Sequence, residues 1–145
     1  MIRKILAMAL LAASLGGCSY SYDLIVAVQS GHITIGVDPA SSQRPSCLRK
    51  IYVYAEDERA VTWRESVSYD DDCANKFPLT YGQGLGGKHQ GDRGEVTAKA
   101  LRRETIYEVK TTTGATGYGY GRFIIHEDGM VQNLPAKLFS SDAGN

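Results

Sequence analysis

The sequence has no excess of charge of either sign. Its 145 residues include 16 lysines and arginines and 16 aspartates and glutamates, and the two signs are interspersed. Nucleic-acid binding requires a basic patch or stripe, so this neutral balance argues against a nucleic-acid partner. The length allows one domain and leaves no room for an enzyme with a separate cofactor-binding half.

A long apolar run is also missing. The apolar segment 5–15 has about eleven residues, whereas a helix needs about 20 to span a bilayer. Two cations, Arg3 and Lys4, precede it, and small residues follow it. This arrangement is typical of a secretory signal. We therefore expect residues 1–17 to form a signal helix that is cleaved on export.

The end of this segment reads Leu15-Gly16-Gly17-Cys18. It resembles the lipobox of bacterial lipoproteins, although an ordinary signal peptide followed by an unrelated cysteine is the alternative. The resemblance implies cleavage before Cys18 by signal peptidase II, a diacylglyceryl thioether on Cys18 and an acylated amino terminus. Such chains anchor a protein to the membrane. Ser19 at the next position implies export to the outer membrane, since an aspartate there favours retention in the inner membrane.

Cysteine is scarce, with three in the chain. If Cys18 carries lipid, Cys47 and Cys73 remain as an even pair, and an oxidising compartment favours a disulfide between them. A redox pair is usually spaced by two residues, and a structural zinc site needs four ligands at short paired spacings. We therefore expect a structural bridge, no metal and no cofactor.

Catalytic patterns are absent as well. The three histidines, His32, His89 and His126, lie at predicted strand ends or in a loop, and no G-x-S-x-G sequence is present. The aspartates at 70–72 lack the spacing and the glycine of a calcium loop. The G-x-G-x-x-G pattern at 82–87 is not followed by a helix that could receive a phosphate. We expect a protein that is not an enzyme.

The mature chain alternates apolar and polar residues with the period of β-strands. Besides three hairpins, which are given below, the pattern predicts strands at 77–81, 95–98 and 105–111. The best candidate for a helix is the short segment 96–104. The pattern predicts an all-β fold, either a small antiparallel β-sandwich of immunoglobulin-like or similar type or a small barrel. Three predicted hairpins share a turn signal between their arms: 24–29 with 32–38, 50–55 with 60–68, and 122–127 with 130–134, the last turning at Asp128-Gly129.

These patterns divide the chain into four parts. We expect a signal peptide at 1–17, a lipidated tether at 18–22, a single β domain at 23–139 and a flexible tail at 140–145. Trp63 is expected on the inner face of the domain.

The glycine-rich segment 114–122 contains a candidate binding surface. On a strand, every second residue from 117 is glycine and shares one face. The opposite face carries two tyrosines and an arginine, which offer stacking and hydrogen bonds to a sugar or a protein. In the alternative interpretation, the glycines accommodate a large core ring such as Trp63, and the tyrosines only cover the sheet. The three candidate residues are Tyr118, Tyr120 and Arg122.

Together these features predict a non-catalytic, lipid-anchored envelope protein at the periplasmic face of the outer membrane. It would act as a binding, assembly or structural module, with an envelope protein or peptidoglycan as its partner. One alternative is an inhibitor of a cell-wall-degrading enzyme, because small lipidated β-barrels with one disulfide include lysozyme inhibitors. A hydrolase that uses His126 or His32 is the other.

Overall fold

A computed structural model describes residues 18–70, 72–90 and 94–137. The expected signal helix at 1–17 and tail at 140–145 lie outside the described residues. Within the described ranges the chain forms ten β-strands and no helix. In chain order they are β1 (Tyr20–Gln29), β2 (His32–Val37), β3 (Cys47–Leu48), β4 (Lys50–Ala55), β5 (Ala60–Ser66), β6 (Asn75–Lys76), β7 (Leu79–Thr80), β8 (Ile106–Thr112), β9 (Gly117–Ile125) and β10 (Val131–Asn133).

Eight strands form one sheet that curls into a half-barrel, which confirms the all-β prediction. The strand order is β5-β4-β8-β9-β1-β2-β7, with β10 also beside β9, while β3 and β6 form a separate ribbon. One pairing differs from the expected antiparallel pattern, because β1 runs parallel to the first half of β9. The short strand β10 pairs only with the second half of β9. The first half of the same edge of β9 is therefore free to pair with β1.

The three predicted hairpins are present because local turn chemistry specifies them. Ser30 and Gly31, between β1 and β2, have φ values of 50° and 79°, as a two-residue turn of type I′ requires. The last hairpin has a longer connection than the two residues expected. Its Gly129 N–H donates to the carbonyl of His126, and His126 N–H donates to Met130. This is a three-residue loop that ends in a glycine of positive φ.

The segment before β8 is neither the strand nor the helix that the sequence predicts. Val96 and Arg64 exchange two backbone hydrogen bonds of 2.9 Å, and Lys99 N–H donates to the Thr62 carbonyl. The segment thus covers the edge of β5 in an extended form with an isolated bridge instead of a regular strand. The strand predicted at 77–81 is also shorter, because Pro78 has no N–H to donate to a ladder.

The core fills the inner face of the curled sheet. Trp63 has no exposed surface, as expected, and its ring packs edge-to-face against Tyr81 with centroids 5.3 Å apart. The tether expected at 18–22 is too long, because β1 already begins at Tyr20 and the Tyr22 side chain is buried. Burial of that ring, and pairing with β9, bring residues 20–22 into the domain.

The disulfide between Cys47 and Cys73 is present, with Cα atoms 5.8 Å apart. Cys47 belongs to β3, and Cys73 precedes β6, so the bridge closes the small ribbon. The Cys73 sulfur also lies 4.0 Å from the Thr113 carbonyl oxygen at the end of β8. The bridge therefore closes the ribbon and lies beside the end of β8 in the main sheet.

Candidate functional site

Strand β9 has the two unlike faces that the sequence predicts. Its three glycines are buried, and its tyrosines and arginine point away from the core. The glycines do not accommodate Trp63, which corrects that expectation. A Cβ on Gly119 would collide with the Tyr22 ring and with Thr111, and one on Gly121 would lie 2.9 Å from the Leu24 Cβ. The core ring that requires a glycine is therefore Tyr22, on the neighbouring strand.

The outward side chains of β9 continue across two more strands. Tyr120 is opposite Lys110 of β8, and Lys110 is opposite Tyr52 of β4. The next row along the strands joins Arg122 to Glu108, and Glu108 to Tyr54, in the same way. We call this surface the tyrosine face, and define it by eight residues: Tyr52, Tyr54, Glu56, Glu108, Lys110, Tyr118, Tyr120 and Arg122.

Cations hold the rings of β4 in place. The rings of Tyr52 and Tyr54 have centroids 5.2 Å apart. The guanidinium carbon of Arg64 lies 5.7 Å from the Tyr52 centroid, and the Lys110 Nζ lies 5.3 Å from the Tyr54 centroid. Such cation–π contacts contribute about 0.5–1 kcal/mol each at exposed sites. They give the rings a preferred orientation before any partner arrives.

The carboxylate of Glu108, a residue that is only 6% exposed, is a diagonal neighbour of Tyr120 across the pair of strands β8 and β9. Burial and this carboxylate raise the pKa of the Tyr120 phenol to about 12. The phenol therefore remains protonated at neutral pH beside this carboxylate. Tyr120 is half-buried, whereas Tyr118 is 50% exposed and can contact a partner.

Arg122 is engaged within the protein. Its guanidinium pairs with both carboxylate oxygens of Glu56, and the Nη2···Oε2 distance is 3.1 Å. The Lys137 ammonium lies 3.0 Å from the same carboxylate. Of the three residues predicted as a binding surface, Arg122 thus serves to hold Glu56 and to connect β9 with the end of β4.

The Glu56 and Arg122 pair gives a testable pH dependence. The Arg122 hydrogen bonds lower the pKa of Glu56 below its usual value of 4.5. Because the pKa of Glu56 is lower in the folded state than in the unfolded state, its carboxylate stabilises the fold fully above pH 4.5. This stabilisation is lost as the pH falls through the folded-state pKa. We expect Glu56→Gln to lower the free energy of unfolding by about 1 kcal/mol at pH 7. In urea titrations this difference should shrink toward pH 3.

The control for this prediction is Glu58→Gln, because the Glu58 side chain is 59% exposed and pairs with Arg102 at the surface. We expect a change below about 0.5 kcal/mol for that variant. If Glu56→Gln lowers the free energy of unfolding equally at pH 7 and pH 3, the ion pair between Glu56 and Arg122 is not the source of the stabilisation.

A groove of about 430 Å³ opens on the tyrosine face. Tyr52, Tyr118 and Tyr120 line it together with Lys50 and Lys110. Sequence reasoning identified only the β9 part of this surface. Alternation along β4 shows that its two tyrosines share a face, but it does not show that β4 and β9 are separated by one strand.

Two of the three histidines make hydrogen bonds to side chains near them in the sequence. His89 Nδ1 lies 2.6 Å from Glu95, and His126 Nε2 lies 2.8 Å from Gln132. His32 is exposed at the start of β2. No group of three or more metal-ligating side chains occurs among the described residues. The same part of the chain has no helix long and apolar enough to cross a membrane, and Cys18 is exposed.

Comparisons with protein-family models, with curated proteins and with solved structures found no significant match to this chain.

Proposed function

We propose that the protein is a non-catalytic lipoprotein of the bacterial envelope that binds a partner protein through the tyrosine face. Cys18 carries the lipid, and the domain lies at the periplasmic face of the outer membrane. The tyrosine face is the observation that carries the proposal. It places four tyrosine rings, with cations between them, on one outward surface of three adjacent strands.

The chemistry of this surface favours a protein partner over a glycan. Tyrosine and arginine are enriched at protein interfaces, where they supply apolar area with a polar tip. Lys50 and Lys110 lie beside the rings, and the acidic Glu56 lies on the same surface. A surface that carries both signs of charge complements the mixed charge of another protein.

The lipid anchor is tested by replacing one atom. Cys18→Ser removes the nucleophilic sulfur, so the lipoprotein pathway cannot attach the diacylglyceryl group. We expect wild-type protein to incorporate labelled palmitate and to remain in the membrane fraction. The variant should incorporate none and should be recovered in the soluble periplasm. A variant that keeps the wild-type membrane fractionation would contradict the anchor.

The binding surface is tested with two double variants, one on the tyrosine face and one away from it. We expect the double variant Tyr52→Ala, Tyr54→Ala to lower the yield of a specific chemically crosslinked complex at least tenfold, since aromatic side chains dominate interface energetics. The double variant Val28→Ala, Met130→Ala is the control, because these side chains are 48% and 66% exposed and lie outside the tyrosine face. Equal losses in both variants would contradict the proposal. So would a yield from the tyrosine double variant equal to that of the wild type, or capture of glycan fragments alone.

A further inference from the structure

The end of the sheet nearest Cys18 forms a second surface, which shares Tyr118 and Lys50 with one end of the groove on the tyrosine face. We propose that this anchor end lies in the phospholipid headgroup region of the bilayer that holds Cys18. The inference rests on the proposed lipidation, and adds an orientation and a contact surface to it. We define the anchor end by Lys50, Tyr69, Tyr118 and the loop 113–116.

Chain length leaves little freedom between the lipid and the fold. Strand β1 begins at Tyr20, two residues after Cys18. Two residues span at most about 7 Å. Tyr20 N–H donates to the Thr116 carbonyl at 2.9 Å, and Tyr20 pairs with Gly117. An acylated Cys18 would therefore hold the loop before β9 at the surface of the membrane.

Strand directions bring the other residues to the same end. Because β9 runs parallel to β1, its first residues, including Tyr118, lie beside the anchor. Strand β8 ends there, and Lys50 at the start of β4 pairs with Thr112. Arg49 donates from Nη1 to the Thr113 carbonyl, and its guanidinium carbon lies 5.7 Å from the Tyr69 ring centroid.

The side chains at this end suit a headgroup layer. Tyr118 and Tyr69 are 50% and 48% exposed, and tyrosine is enriched where hydrocarbon meets water. Lys50 is exposed and has a long apolar stem that can lie along acyl chains while its ammonium stays among phosphates. The acidic Asp70 and Asp72 follow Tyr69 and are also exposed. The aromatic rings, more than net charge, therefore carry the contact.

The opposite end of the sheet provides an internal control. Val28 and Met130 are exposed there, at 48% and 66%. About eight residues of strand separate Tyr118 from the turn before Met130, which at roughly 3.3 Å per residue is about 26 Å. This orientation would also place the groove at the side of the molecule, with its Lys50 and Tyr118 end against the membrane and Tyr52 farther from it.

The test uses the full acylated protein in phosphatidylcholine vesicles whose acyl chains carry bromine, a quencher of tryptophan fluorescence. Tyr118→Trp and Tyr69→Trp report on the anchor end, while Met130→Trp and Val28→Trp report on the opposite end. The signal of the fully buried Trp63 is common to all variants and is subtracted. We expect quenching at the anchor end to exceed that at the opposite end at least threefold.

Equal quenching at the two ends of an acylated protein would overturn the orientation and leave the lipid anchor standing. The mass of the peptide that begins at Cys18 separates this outcome from failure of the anchor. If that peptide carries no acyl chain in protein made by its native pathway, the anchor is wrong and the orientation falls with it.

Discussion

Replacement of Gly119 by alanine is expected to destabilise the domain by about 3 kcal/mol, which lowers the melting temperature by roughly 10 °C. An added Cβ would collide with the Tyr22 ring and with the Thr111 hydroxyl. Neither group can move away cheaply. The Tyr22 hydroxyl makes hydrogen bonds of 2.8 Å to Thr111 and 2.7 Å to Thr113, and its residue is only 2% exposed.

Gly114→Ala is the matched control for this variant. A Cβ at Gly114 would have no neighbour within 4 Å, so we expect a change below about 0.5 kcal/mol. Urea unfolding of both variants in the Cys18→Ser background gives the comparison. If Gly119→Ala has the same stability as Gly114→Ala, the close packing of β9 against Tyr22 is wrong.

Removal of the disulfide has the other large expected effect. The bridge joins residues 26 apart in the chain. In the chain-entropy account, closing a loop of that length contributes about 3.5 kcal/mol. We expect the double variant Cys47→Ala, Cys73→Ala to unfold at a temperature about 10–15 °C below that of the oxidised protein. Thermal unfolding followed by circular dichroism measures this shift.

Chemical reduction supplies the control for the double variant. In the Cys18→Ser form the bridge holds the only remaining cysteines. Reduced protein and the double variant should therefore unfold at similar temperatures. If the free energy of unfolding falls by less than about 1 kcal/mol in both the reduced protein and the double variant, packing of the core is sufficient to hold the ribbon formed by β3 and β6.

Local features of the fold were predictable from the sequence, because their causes are local. Ser30-Gly31 and the glycine at 129 specify turns through their positive φ values. Alternation along β4 and β9 specifies which side chains share a face. The disulfide is predicted from the even pair of cysteines that remains once Cys18 is assigned to the lipid, together with the expected export to an oxidising compartment.

Long-range features were not predictable in this way. The parallel pairing of β1 with β9 depends on an edge that β10 leaves open about a hundred residues later in the chain. Tyr22 lies within the expected tether 18–22, and no local pattern indicates that its ring fills the space above Gly119. The tyrosine face forms because β4, β8 and β9 are adjacent in the sheet. The periodicity of a single strand does not predict which strands are its neighbours.

Site-specific photo-crosslinking in living cells tests the central claim most directly. A photoreactive phenylalanine derivative replaces Tyr52 in the centre of the tyrosine face, or Met130 at the exposed opposite end. We predict that the residue at position 52 captures one protein of defined mass, and that the residue at position 130 does not. Equal capture at the two positions, or no protein captured at position 52, would contradict a binding function for this face.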